Sequence, residues 1–260
     1  MTNLFDLTGK KAIVVGGAGG IGISIAEGLA EAGAQVMISS RKEEALKAAQ
    51  AQIKENTGLD ILYCQGDAGK EADVEALLKA ALDEMGTVDI LVNAQGFNRK
   101  HPGDEFPLDD WDAMFNANVT SIMLTCKHIG GYMKKNGIHG KIINLSSVRG
   151  IRAVGNGGMG NVGYCATKGA VEMLTKAYAS DLRPNVQVNA IGPTITYTPM
   201  MVGLLPDDEA TRNAIAAAMP AQRIGYPEDC KGPAIFLASA ASDFVTGSTI
   251  YPDGGLTAVG

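Results

Sequence analysis

Cysteine is scarce and scattered. Cys64, Cys126, Cys165 and Cys230 are the only four in 260 residues. Their spacing matches neither a metal-ligand pattern nor a disulfide framework, so they are expected to be reduced packing residues. Basic tracts are absent, and the formal net charge is -6. No nucleic acid and no anionic membrane surface is therefore expected as a partner. Long apolar runs are missing too: none approaches the roughly 20 residues that span a bilayer. The chain reaches Asp6 without a basic-then-apolar leader, and a cytoplasmic location is the expectation. Repeats, low-complexity tracts and linkers are also lacking, so residues 1–260 are read as a single domain.

Glycine, by contrast, is plentiful at 33 residues, which calls for tight turns or close backbone approaches. Residues 11–15 are apolar and rich in β-branched side chains, the pattern of a buried strand. Gly16-Gly-Ala-Gly-Gly-Ile-Gly22 follows at once, and a helix of small residues is expected over 21–32, ending at Gly33. A glycine motif between a strand and a helix signals dinucleotide binding. Glycines let the backbone approach a pyrophosphate, and a helix N-terminus offers free N–H groups. Gly16, Gly20, Ile21 and Gly22 are the candidate contacts.

A second strand, expected at 35–39, leads to Ser40-Arg41-Lys42. An acidic residue at such a strand end bonds ribose hydroxyls, whereas an arginine accommodates a 2′-phosphate. Ser40 and Arg41 thus favour NADP as cofactor, with NAD the alternative. The competing reading is that Arg41 and Lys42 merely open a solvated helix over 43–56. Further strands are expected at 61–64, 89–92, 141–145 and 187–191, alternating with helical patterns. That order predicts an α/β fold: a single doubly wound parallel sheet of the Rossmann type, with helices on both faces. Ligands of such sheets sit at the carboxyl ends of the strands.

Tyr164-Cys-Ala-Thr-Lys168 has a tyrosine and a lysine four residues apart. Val171, Leu174, Ala177 and Tyr178 continue a helical pattern to Leu182, so both side chains fall on one helical face. A neighbouring ammonium lowers the pKa of a phenol. Such a tyrosine exchanges a proton with a carbonyl or alcohol oxygen. Alone, the pair reads equally as an exposed tyrosine beside a solvated lysine.

The spacing Gly16-x-x-x-Gly20-x-Gly22 resembles the short-chain dehydrogenase/reductase family, whose first turn carries T-G-x-x-x-G-x-G; Val15 replaces the threonine. The resemblance runs from about residue 7 to 255. It includes Asp67-Ala68, Asn93-Ala-Gln-Gly96 in place of N-N-A-G, Asn118 within Asn-Ala-Asn-Val-Thr, Ser146-Ser147, Tyr164 with Lys168, Pro193-Thr194 in place of P-G, Thr198, and the closing Asp253-Gly-Gly. It implies hydride transfer between a nicotinamide and a substrate carbon, interconverting a secondary alcohol and a ketone. By that resemblance Tyr164 is the general acid or base, and Ser147 holds the reacting oxygen, with Ser146 as a substitute. Lys168 lowers the tyrosine pKa and binds ribose hydroxyls, and Asn118 supports a proton relay. Asp67 and Ala68 meet the adenine, Asn93 and Gly96 form the adenosine loop, and Pro193 and Thr198 reach the nicotinamide or pyrophosphate. No metal is implied. The family also implies a homo-oligomer, a dimer or tetramer, joined through the helices of Asn118 and Tyr164.

The substrate is less legible. Arg99, Lys100 and His101 form a positive cluster in the loop 97–107, and Arg149 and Arg152 lie in a glycine-rich approach to Tyr164 longer than the family's. These arginines suit an anionic substrate, or else sit on solvated loops. Residues 194–222 occupy the place of a substrate lid, with Met200, Met201, Leu204 and Leu205 as an adaptable cover. The stretch 93–111 and the C-terminal end resemble gluconate 5-dehydrogenases, which implies a sugar acid or a similar polar hydroxy or oxo compound. The alternatives are a 3-oxoacyl-carrier-protein reductase, whose acidic carrier would meet the same arginines, and a catalytically silent cofactor-binding protein.

Overall fold

A computed structural model describes residues 3–153, 161–203 and 205–259. Seven strands form one sheet: β1 (Lys11–Val15), β2 (Gln35–Ser40), β3 (Leu62–Gln65), β4 (Ile90–Asn93), β5 (Gly140–Leu145), β6 (Val186–Ile191) and β7 (Thr249–Ile250). Their order is β3-β2-β1-β4-β5-β6-β7, and every pairing is parallel. The register is continuous across the centre, with Val14 beside Val92 and Val92 beside Ile143. Strands buried on both faces read as apolar runs, as Ala12–Val15 of β1 and Ile90–Val92 of β4 do, whereas β5 also carries Lys141 and Asn144. Their side chains still alternate between two cores. Ala12 and Val14 of β1 face one, and Ile13 and Val15 face the other.

The first core is closed by α1 (Gly20–Glu31), α2 (Glu43–Thr57) and α10 (Lys231–Ala238), through residues such as Leu29, Ile53 and Leu237. The second is closed by α3 (Glu71–Met85), a helical run over 108–135, and α7 (Val162–Asp181), through Leu77, Ile129 and Val171. Helices thus cover both faces, and all strand carboxyl ends share one edge. The chain steps outward from β1 to β3, then returns to place β4 against β1. That reversal opens a crevice at the shared edge, where such sheets hold ligands. Among the described residues no helix is long and apolar enough to cross a membrane.

The helical run over 108–135 departs from simple periodicity. It consists of α4 (Leu108–Phe115), α5 (Ser121–Thr125) and α6 (Gly131–Lys135), joined by π-helical turns at Asn116–Thr120 and Cys126–Gly130. In the first, the Ser121 N–H bonds back to the Asn116 carbonyl, five residues earlier. Each such turn adds a residue and rotates the face that the next helical segment presents. The stretch before residue 220 holds two helices, the short α8 (Pro199–Val202) and the alanine-rich α9 (Glu209–Ala217). Thr198 caps α8 and Asp208 caps α9. No residue of α9 is buried, so it is held by its cap and ends more than by packing.

Polar side chains fasten the helices to the sheet. Asn93 Nδ2 donates to Asn144 Oδ1 across β4 and β5 at 2.9 Å. Thr125 of α5 donates to Asn93 Oδ1 at 2.7 Å, and Asn144 Nδ2 donates to Thr175 of α7 at 3.0 Å. All four residues are fully buried. Truncating Asn144 to Ala leaves the Asn93 amide and the Thr175 hydroxyl short of a partner, at about 2–3 kcal/mol. Urea unfolding of Asn144→Ala is expected to show that loss with an unchanged denaturant slope.

Candidate active site

The site begins where β1 stops. Gly16 has φ of 78°, and a Cβ there would lie 2.6 Å from the Gln95 nitrogen. A Cβ on Gly22 would collide with the Gly16 carbonyl. Only glycine lets the loop after β1, the start of α1 and the loop after β4 close to this degree. The α1 N-cap is Gly19, which offers no side chain to cap the first amides. Gly19, Gly20 and Ile21 line a cleft of about 570 Å³. This cradle of backbone N–H groups fits a pyrophosphate.

Further along the cleft lie Ser40, Arg41 and Lys42 at the end of β2, and Asp67 and Ala68 beyond β3. Asp67 is the one acidic side chain among the described lining residues, against Arg41, Lys42, Lys100, Arg149 and Lys168. The cleft therefore presents an excess of positive charge although the chain carries -6. A phosphorylated dinucleotide fits these walls: backbone amides for the pyrophosphate, and a guanidinium with no acid in the Ser40 position for a 2′-phosphate.

At the other end, β5 delivers Ser146 and Ser147, and α7 delivers Tyr164 and Lys168. Ser147 Oγ accepts from the Arg149 N–H at 3.2 Å and donates to the Pro193 carbonyl at 3.3 Å, which joins the loops after β5 and β6. Ser146 also lines the cleft, and its hydroxyl donates to the Lys168 carbonyl at 3.5 Å. Lys168 Nζ donates to the Leu145 carbonyl at 2.7 Å and sits 5.6 Å from the Tyr164 ring centre. Asn118 lies in the first π-helical turn, completely buried. It accepts from the Phe97 N–H and donates to the Phe97 carbonyl, both at 2.9 Å, and reaches Thr167 of α7 at 3.1 Å. Thr198 brings its methyl 3.9 Å from the place a Cβ on Gly20 would take, so the loop after β6 meets the glycine cradle.

In the ligand-free site, burial and the neighbouring groups act on both charges. Burial pushes the Tyr164 phenol up to about 12, against the lowering effects of a Ser147 hydrogen bond and the Arg149 charge. Burial also brings the Lys168 ammonium down to about 8, opposed by Glu172. Lys168 was expected to draw the phenol toward neutrality. Its Nζ is committed to the Leu145 carbonyl instead, and the cost of burying a phenolate prevails. At neutral pH the ligand-free site holds a protonated tyrosine beside a lysine that is mainly cationic, a pair set to donate a proton.

The expected residues divide by position. Gly16, Gly20, Ile21, Ser40, Arg41, Asp67, Ala68, Gly96, Ser147, Tyr164, Lys168, Pro193, Thr198 and Arg149 all line the cleft. Asn93, Gly22 and Asn118 do not. Asn93 lies beneath it in the buried network, Gly22 packs behind Gly16, and Asn118 braces Phe97. Arg99 does not line the cleft: it points to Asp110 at 3.0 Å, and that same carboxylate takes His101 at 2.6 Å. Arg152 does not line it either. It donates to the Leu256 carbonyl at 2.6 Å, outside the cleft. Residues 154–160 of the glycine-rich approach, and Leu204, lie outside the described residues. Gln95, Asn98, Asn161 and Thr194 also line the cleft and carried no signal beyond their neighbourhood to known motifs. Buried oxygens of Gln95, Asn98 and Thr194 lack partners among the described residues.

A family model described as enoyl-(acyl carrier protein) reductase matches residues 16–257. The chain is 37% identical to a gluconate 5-dehydrogenase of Gluconobacter oxydans, over 98% of this chain and 97% of that one. It is 35% identical to a glucose 1-dehydrogenase of the same organism, over 97% and 93%. The crystal structure of a gluconate 5-dehydrogenase from Burkholderia cenocepacia, in complex with NADP and tartrate, superposes with a TM-score of 0.90 at 38% identity, covering 99% of this chain and 98% of that one.

An ultraviolet titration of the free protein, minus that of Tyr164→Phe, isolates this phenol. It is expected to show no phenolate from Tyr164 below about pH 10, the ordinary range for tyrosine. A phenolate signal near neutrality would restore the lysine-lowered picture.

Proposed function

Because the chain belongs to the short-chain dehydrogenase/reductase family, we propose that it is an NADP-dependent oxidoreductase that interconverts a secondary alcohol and a ketone on a sugar acid or closely similar polar compound. One observation carries this reading. Ser147, Tyr164 and Lys168 line one end of a cleft whose other end is the glycine cradle with Ser40, Arg41 and Lys42. NADP, when bound, supplies the hydride acceptor or donor. The chain supplies position and a proton. In the ketone-reducing direction the Ser147 hydroxyl turns from the Pro193 carbonyl to donate a hydrogen bond to the ketone oxygen, and the Tyr164 phenol transfers its proton to that oxygen. Lys168 stabilises the phenolate left behind by its charge. Asn118 fixes Phe97 to the helix of Tyr164, so the loop after β4 and the proton donor keep one geometry.

The acidic substrate is supported by Arg149, which is half-buried in the cleft beside Tyr164, and by Lys100. The relatives named as acting on gluconate and the one on glucose differ by a carboxylate, so substrate charge is the deciding property. An acidic carrier protein is less well served. It would need an exposed basic face, yet Arg99 and His101 are engaged by Asp110. Residues 194–222 are assigned as the cover of the substrate end, since Met200, Met201 and Leu205 line the cleft. Homo-oligomerisation through the Asn118 and Tyr164 helices is supported by exposed Leu108 and Met173, 70% and 63% accessible. A cytoplasmic location is supported by four free thiols.

NADPH consumption with a panel of oxo sugar acids, neutral sugars and acyl thioesters tests the proposal; turnover confined to thioesters would overturn it. Tyr164→Phe is expected to lose about 10³-fold in kcat while still binding NADPH. Arg41→Ala should weaken NADPH by about 10–100-fold and leave NADH nearly unchanged, the range for a charge-assisted hydrogen bond. Arg149→Ala should raise KM for the acid about tenfold but not for a neutral sugar, whereas Arg99→Ala should do neither.

A further inference from the structure

α7 carries Tyr164, Lys168 and Glu172 at four-residue spacing. That spacing stacks the three along one face. The mechanism above uses the first two. Glu172 is only 8% exposed, and acidic side chains are rarely buried so deeply unless paired. Its Oε2 accepts from the Thr249 hydroxyl of β7 at 2.6 Å. Its Oε1 is buried with no hydrogen-bond partner among the described residues. An unpartnered oxygen of that kind costs free energy, and the turn after Ser147 packs closely on the Glu172 stem. A Cβ on Gly150 would lie 2.8 Å from the Lys168 carbonyl and 2.9 Å from Glu172 Cγ. Glycine at 150 lets the turn that follows Ser147 press onto α7 at the level of these two side chains.

The ionisable groups around Glu172 come from three elements. Lys168 precedes it by one turn on α7. Tyr251, just beyond β7, faces it, and the Tyr251 phenol is pushed up to about 12 by burial and then by the Glu172 charge. Arg149, on the turn carrying Gly150, is directed elsewhere: it donates to the Ala153 carbonyl at 3.1 Å, and its charge is felt at Tyr164. For Lys168, Glu172 is the charge that opposes burial.

We infer that Glu172 is a positioning residue that holds the Lys168 ammonium charged, and so sets, from one turn further along α7, the pH range in which Tyr164 can work. The inference rests on the reading of Tyr164 and Lys168 as the proton-transfer pair. Removing the Glu172 charge leaves burial of Lys168 unopposed, and its titration, at about 8 in the intact protein, moves down into the neutral range.

The test is an NMR titration of the full chain labelled with ¹³C at lysine Cε, the Lys168 signal being identified by its loss in Lys168→Met. In Glu172→Gln the Lys168 midpoint is expected to fall by about one pH unit or more, a tenfold change in the deprotonation constant. If the buried amide prevents folding, Glu172→Met removes the charge and the unpartnered oxygen together, with the same expected shift. In steady-state ketone reduction, the alkaline limit should move down in parallel, with kcat recovering at acidic pH. A merely structural role would lower activity equally at every pH. An unchanged Lys168 midpoint in either folded variant overturns the inference. A shifted midpoint in a protein that turns over no oxo acid would instead refute the substrate reading and leave the role of Glu172 standing.

Discussion

The hydrogen bond between the Asn93 and Asn144 side chains lies where β4 and β5 run out toward the cleft, and the rest of the site hangs from it. Two adjacent parallel strands fix their relative height through this pair, with no water to compete. Each asparagine then spends its remaining capacity on a helix: Asn93 on Thr125 of α5, Asn144 on Thr175 of α7. α5 follows the π-helical turn that carries Asn118, and α7 carries Tyr164 and Lys168. A satisfied buried polar network has few alternative arrangements, because any slip strands a donor or acceptor in a low dielectric. Apolar packing alone would tolerate small sliding of these helices. The asparagine and threonine set does not, and so the proton donor keeps its height above the strand that supplies Ser147.

That precision is needed because burial acts on the two titrating groups in a single direction. It favours the neutral phenol of Tyr164 and disfavours the ammonium of Lys168. Charged and polar partners oppose this: Ser147 and Arg149 act against burial at the phenol, and the Glu172 charge acts against it at the lysine, whose Nζ donates to the Leu145 carbonyl. The result is a proton held on tyrosine with a cation ready to stabilise the phenolate once the proton has left. This suits reduction of a ketone, in which the substrate oxygen must gain a proton as its carbon gains hydride.

Much of this was legible in the sequence, and the remainder was hidden for a common reason. Strands β1 and β4 were readable because parallel strands covered on both faces are largely apolar runs, and the helix expected over 21–32 is found at Gly20–Glu31, ending before Gly33. Gly16, Gly20, Tyr164 and Lys168 were readable because their chemistry depends on close spacing. The two π-helical turns were not, since an inserted residue leaves the composition unchanged. Nor was the destination of each arginine. Arg99 is settled by Asp110 and Arg152 by the Leu256 carbonyl, partners that only the folded chain brings within reach.

The same division separates reaction from specificity. Ser147, Tyr164 and Lys168 sit at strand ends or on a helix braced by the buried network, where movement is most restricted. Lys100, Arg149, Asn161, Met200 and Leu205 reach the cleft from loops or from the short α8 region. Of the two cations at this end, Arg149 is the better anchor for a carboxylate. Its backbone N–H is fixed to Ser147 Oγ, and its guanidinium is partly desolvated, which strengthens attraction to an anion. A substrate whose carboxylate meets Arg149 would be presented close to the Ser147 hydroxyl and the Tyr164 phenol, because one short turn carries both anchors. A neutral sugar would fill the same volume without that tether. On the proposed roles, discrimination by charge would follow from the chain order Ser147-Val148-Arg149, in which the group proposed to hold the reacting oxygen and the group proposed to hold the acid are two residues apart.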